Sequence, residues 1–163
     1  MRFKPYPLAV TQWLATYEQP KPRYSVLVLH GGSQLGKTEL AKKLRGRDKT
    51  LVVDCQHARH PDLHAFDPLK HEAIVLDDIA GPAFVCDNKK LLQQHADGAR
   101  LGQSPAQHLA YEVSLWRVPV VVTTNFWDVA PLCPEDLDWV EQNCVVVPIT
   151  SSVMVDSDEQ DDV

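Results

Sequence analysis

Between a run of aliphatic residues and an amphipathic stretch the chain reads Gly31-Gly32-Ser33-Gln34-Leu35-Gly36-Lys37-Thr38, and no other feature restricts its fold as strongly. The run before it, Ser25-Val26-Leu27-Val28-Leu29, suits a strand buried on both faces. The stretch after it, residues 37–44, has helical spacing. Glycines at 31, 32 and 36 permit backbone conformations in which successive N–H groups turn inward. The first turn of the following helix adds unpaired N–H groups and the positive end of its dipole. Strand, glycine-rich loop and helix in this order predict a cradle for phosphate oxygens built from Gly31, Gly32, Ser33, Gln34, Leu35, Gly36, Lys37 and Thr38. Lys37 would reach the β- and γ-phosphates of a nucleoside triphosphate, and the Thr38 hydroxyl would complete the shell of a magnesium ion. ATP and Mg2+ are the cofactors expected on this pattern.

The rest of the chain alternates in the same manner. Residues 8–18 carry apolar side chains near helical spacing, ended by Pro20 and Pro22. Residues 51–54 and 73–76 read as buried strands. Residues 61–69 read as a helix opening at His60 or Pro61, and residues 88–96 as a helix capped by Asp87. Residues 97–116, with Gly98, Gly102 and Pro105, suggest a hairpin or long loop. A strand over 118–124, a helix over 134–142 and a strand over 144–149 follow, with Pro119 at the start of its strand and Pro148 near the end of an edge strand. Strands of Val, Leu and Ile alternating with helices predict an α/β fold, a P-loop NTPase with a mostly parallel five-stranded sheet flanked by helices. The expected organisation is a helix and linker over 1–22, an ATPase domain over 23–150 and an acidic, disordered tail over 151–163.

Two further elements bear on chemistry. Asp77 ends the third apolar strand, where a carboxylate would hold the metal together with Thr38. Asp78 beside it is a candidate for polarising an attacking water, although an aspartate before Gly81-Pro82 also suits a turn. Asp78-Ile79-Ala80-Gly81 fits the D-x-x-G of a GTPase, but Asn88-Lys89 is followed by Lys90 and Leu91, so the guanine-reading element is absent. Asn125 closes the strand Val120-Val121-Val122-Thr123-Thr124, and an amide there would hydrogen-bond the γ-phosphate or the water attacking it. Lys37, Asp78 and Asn125 are the catalytic candidates.

Taken together, Gly31 to Thr38, Leu76-Asp77-Asp78 and the Asn125 strand resemble a superfamily 3 helicase domain. More narrowly, they resemble the helicase half of replication-initiator (Rep) proteins of circular single-stranded DNA viruses. The resemblance covers residues 7–149, and the helix with Gln12-Trp13 is similar to the linker preceding that domain. It implies that Lys37 and Thr38 serve phosphate and metal, that Asp77 and Asp78 are the Walker B acids, and that Asn125 is the sensor. It implies single-stranded DNA as a partner and a homo-oligomeric ring. Residues 98–107 would lie where the family contacts DNA, with Arg100, Gln103, Ser104 and His108 near the backbone. A surface turn fits the same residues equally well. The nuclease half of Rep proteins has no counterpart in this sequence, so no nicking is expected. The family also carries an arginine just before the last strand, inserted into a neighbour's site, and Trp139-Val140-Glu141-Gln142-Asn143-Cys144 has no basic residue. An arginine finger is worth about 10³–10⁵ in turnover; Arg100 or Arg117 are the candidate substitutes. The alternatives are a degenerate nucleotide-binding remnant and a small P-loop kinase, for which no arginine-rich lid follows Asp77.

Composition adds limits. The net charge of −6 is concentrated in Asp156, Asp158, Glu159, Asp161 and Asp162; without these five the body carries −1. Composition is therefore silent on nucleic acid. No apolar run approaches the roughly 18 residues of a membrane span, and four widely spaced cysteines suit reduced thiols. The expected setting is intracellular and soluble without a membrane partner, in the host nucleus if the chain serves viral replication. Cys55, His57, His60 and His64 come from one segment without the paired spacing of a zinc site and read as a polar loop. The four tryptophans are too scattered for a base-stacking platform.

Overall fold

The computed structural model describes residues 4–101 and 111–153. Five strands, β1 (Val26–His30), β2 (Thr50–Asp54), β3 (Ala73–Asp77), β6 (Val120–Thr124) and β7 (Cys144–Pro148), form one sheet in the order β2-β3-β6-β1-β7. Every ladder is parallel. Residues in β1, β3 and β6 are buried on both faces, which is why these strands are almost wholly aliphatic. Two short strands, β4 (Ala99–Leu101) and β5 (Tyr111–Val113), pair antiparallel as a hairpin outside that sheet.

Helices cover both faces. Alternation along β1 sends Leu27 and Leu29 to one side, where they pack with α1 (Leu8–Ala15) and α2 (Lys37–Lys43) through Val10, Trp13, Leu40 and Ala41. Val26 and Val28 face the other side, among Phe84 and Val85 of α3 (Pro82–Asp87), Leu91 and Leu92 of α4 (Lys89–Leu92) and Val140 of α5 (Pro134–Asn143). The α/β expectation and the five parallel strands agree with this architecture. Pro119 directly precedes β6 and Pro148 ends β7, an edge strand.

Two expected helices differ. Residues 61–69 are irregular, because Asp62 and Asp67 accept the N–H groups of His64 (3.0 Å) and Leu69 (2.9 Å) in local turns that compete with a helix. The helix expected over 88–96 is only Lys89–Leu92, and Asp87 does not cap it; Asp87 is the last residue of α3. Asn88 interrupts the two helices. Its buried amide donates to the carbonyls of Phe84 (2.7 Å) and Arg59 (2.9 Å), which ties the 55–66 loop to the helical layer. The signal for α3 is Pro82 at its first turn.

The N-terminal segment is part of the body. Trp13 donates from its indole to the Ser25 carbonyl (2.8 Å), and Tyr17 stacks on Tyr24 at 4.5 Å between centroids. Arg117, before β6, donates to the carbonyls of Tyr17 (3.0 Å) and Glu18 (2.7 Å). Trp13 is therefore core, and Trp127 and Trp139 pack against the opposite core layer.

Backbone crowds Gly31, where a Cβ would lie 2.1 Å from the Ile149 carbonyl oxygen, whereas a Cβ on Gly32 meets nothing within 4 Å. Gly31→Ala should cost on the order of 3 kcal/mol or more and Gly32→Ala less than about 1 kcal/mol, read from urea denaturation midpoints.

Candidate functional site

The site forms at the carboxyl ends of β1, β3 and β6, the place where open parallel sheets receive ligands. Register puts it there. Val122 pairs with Leu76 and Thr123 with Leu29, so Asp77 at the end of β3, Asp78 after it, Asn125 after β6 and Gly31 after β1 come out side by side. The loop 31–36 then leads into α2, with Gly36 in a left-handed conformation (φ 87°) at the helix start. Gln34 is left-handed as well, at φ 63°. The loop is held from outside: Val153 donates to the Leu35 carbonyl (3.0 Å), and Gly31 N–H to the Thr124 carbonyl (3.2 Å).

Lys37 is 7% exposed. Its ammonium donates to the carbonyls of Gly31 (2.8 Å) and Gly32 (2.6 Å) and to Asn125 Oδ1 (3.0 Å). Burial lowers its pKa from the usual lysine value, and the charges of Asp78 and Asp77 oppose that shift without cancelling it. Thr38 donates its hydroxyl to Asp77 Oδ1 at 2.6 Å. A second hydroxyl, that of Thr123, reaches the same oxygen at 2.7 Å and accepts the Asp78 N–H at 2.9 Å. Asp78 is left-handed (φ 64°), a conformation that costs a non-glycine residue about 1–3 kcal/mol and persists where its surroundings impose it. These side chains border a cleft of about 380 Å³ with Ser33, Gln34, Leu35, Gly36 and Glu39, within the roughly 300–1,000 Å³ usual for small-molecule sites.

All five side chains singled out in the sequence, Lys37, Thr38, Asp77, Asp78 and Asn125, therefore meet in one cleft. Sequence reasoning missed Thr123 and Glu39. Neither carries a distinctive signal: Thr123 is one of two threonines in its strand, and Glu39 is paired with Lys42 at 3.4 Å and with Arg47. Arg117 belongs elsewhere: it precedes β6 and so lies at the opposite end of the parallel sheet, bonded to the N-terminal segment. Gln103, Ser104 and His108, expected near DNA, lie outside the described residues, as do the side chain of Arg100 and the acidic stretch from residue 154. Cys55 is buried, and burial, with Asp54 and Asp77 adding, pushes its thiol up to about 12. His60 faces Asn88 Oδ1 at 2.9 Å, and His64 faces Asp62 at 2.7 Å. Among the described residues no three His, Cys, Asp or Glu side chains converge as a metal cage. No described helix is long and apolar enough to cross a membrane.

His30, at the end of β1, reports on the charge of Lys37. Its pKa is lowered first by burial and then by the Lys37 ammonium. Lys37→Met removes the like charge, so the His30 pKa should rise yet stay below its ordinary 6.5, since burial remains. An NMR pH titration of the imidazole measures this. Compared with known proteins, the chain matches no protein-family model and no curated protein.

Proposed function

We propose that the chain is a P-loop ATPase related to the superfamily 3 helicase half of viral replication initiators, which binds ATP with magnesium and acts on single-stranded DNA as a homo-oligomeric ring. The observation that carries this reading is the meeting of Lys37, Thr38, Asp77, Asp78 and Asn125 in one cleft at the strand ends. A dehydrated ammonium, a hydroxyl and two carboxylates suit a metal-bound polyphosphate better than a neutral or cationic ligand.

The donor set fits magnesium. The Thr38 hydroxyl has one proton, which goes to Asp77, and keeps lone pairs for a hard cation. Magnesium is ordinarily held by one or two carboxylates plus water and phosphate oxygens, so no cage of three acidic or imidazole ligands is required. When bound, it neutralises charge on the transferring phosphoryl group. Lys37, poorly hydrated where it sits, gains more from an anionic phosphate oxygen than a solvated lysine would. Asn125 keeps its oxygen on Lys37 and has its amide N–H groups to offer the γ-phosphate or the attacking water. Asp78 accepts the proton of that water. DNA and the ring rest on the resemblance alone, which implies residues 98–107 as the contacting segment.

One observation favours a slower protein. Arg117 is committed to the carbonyls of Tyr17 and Glu18, so it supplies no charge to its own site. On this second reading the chain binds ATP and turns over little.

Steady-state ATP hydrolysis by wild type and Lys37→Ala, with and without single-stranded DNA, tests the proposal. The expected result is DNA-stimulated turnover that falls by about 10²–10³ in the variant. ATP binding with no turnover, unchanged by DNA, would sink the helicase reading and leave the remnant.

A further inference from the structure

We propose that Thr123 is a positioning residue that sets both acids of the site with one hydroxyl; this rests on the ATPase reading above. Thr123 is 2% exposed and sits in a strand whose preceding residues, Val120, Val121 and Val122, are all valine. Valine would fill the same volume there, and a buried hydroxyl is unfavourable unless its hydrogen bonds are made. Its bonds therefore account for its presence. The oxygen accepts the Asp78 N–H (2.9 Å) and the proton goes to Asp77 Oδ1 (2.7 Å). The main-chain carbonyl of the same residue accepts the Ile79 N–H (2.9 Å).

Each bond has a consequence for the chemistry assigned to its partner. Asp77 Oδ1 receives the hydroxyls of both Thr38 and Thr123, which restrains the carboxylate from rotating about its Cβ–Cγ bond. Asp78 is held left-handed (φ 64°) by the grip on its own N–H and on that of Ile79. Without the hydroxyl the Asp78 peptide loses its partner and can relax toward the extended region, taking its carboxylate away from a water at the γ-phosphate. Thr123 also lies two residues before Asn125 on the strand that separates β1 from β3. One strand end thereby sets the metal acid, the base and the amide together.

The test compares Thr123→Val, Thr123→Ala and Thr123→Ser by ATP turnover and by amide hydrogen exchange without nucleotide. In the two hydroxyl-free variants kcat should fall about 10–100-fold while KM for ATP moves less than about 3-fold, and more magnesium should be needed for half-maximal rate. Serine should stay within about 3-fold of wild type. Asp78 N–H should exchange roughly tenfold faster in the valine and alanine variants, while Ile79 N–H, bonded to the Thr123 main chain, keeps its protection. Equal acceleration at Asp78 and Ile79, unchanged kcat, failure of serine to restore it, or loss of folding in both hydroxyl-free variants would assign Thr123 to stability alone and overturn the proposal. If wild type turns over no ATP the function reading fails instead, and the contrast between Asp78 and Ile79 still decides whether Thr123 positions the acids.

Discussion

Strand β6 runs between β1 and β3, and the register of those two parallel ladders governs everything at the strand ends. Because each strand pairs along its length with its neighbour, the last paired residue fixes where the next one emerges. Asp77, Asn125 and Gly31 thus arrive beside one another from segments far apart in sequence. A shift of one residue in β6 would turn Thr123 to the opposite face and withdraw its hydroxyl from Asp77. Aliphatic burial of β1, β3 and β6 on both faces opposes that shift, so the core that stabilises the fold also aligns the site.

That alignment concentrates features unfavourable to an isolated domain. Lys37 is buried with its proton affinity lowered, Asp77 and Asp78 are adjacent like charges, and Gln34 and Asp78 are left-handed. Internal bonds offset part of this: two carbonyls and an amide on the ammonium, two hydroxyls on one carboxylate oxygen. On the proposed function, a polyanion with a divalent cation would answer both sets of charges at once, the cation at Asp77 and the anion at Lys37. Strain and desolvation at these residues are the expected cost of a preorganised site.

Much of this was legible in the sequence, for local reasons. Strands buried on both faces write themselves as runs of Val, Leu and Ile, and the glycines and Lys37 of the loop have a spacing set by its backbone. What was less legible depends on contacts distant in sequence or on competing local bonds. Residues 61–69 hold a helical pattern that Asp62 and Asp67 override through their own turns. Gly81-Pro82 reads as a turn until Pro82 is seen opening α3. Thr123 reads as an ordinary strand residue, since threonine favours strands; only the neighbouring strand reveals what its hydroxyl holds. Arg117 reads as a candidate substitute for the missing arginine, and its partners, the carbonyls of Tyr17 and Glu18, carry no sequence signal at all.

Arg117 is occupied at the far end of the sheet, so on the helicase reading it does not complete the site of its own chain. Nucleotide binding needs only the groups already in the cleft, so it is the claim on which the account stands. The most direct measurement is isothermal titration of the protein with ATP, once with magnesium and once with EDTA, for wild type and Lys37→Ala. The account predicts one saturable site per chain in wild type, weaker when EDTA removes the metal and lost in the variant. Absence of binding in wild type, or binding indifferent to both the metal and Lys37, would contradict it.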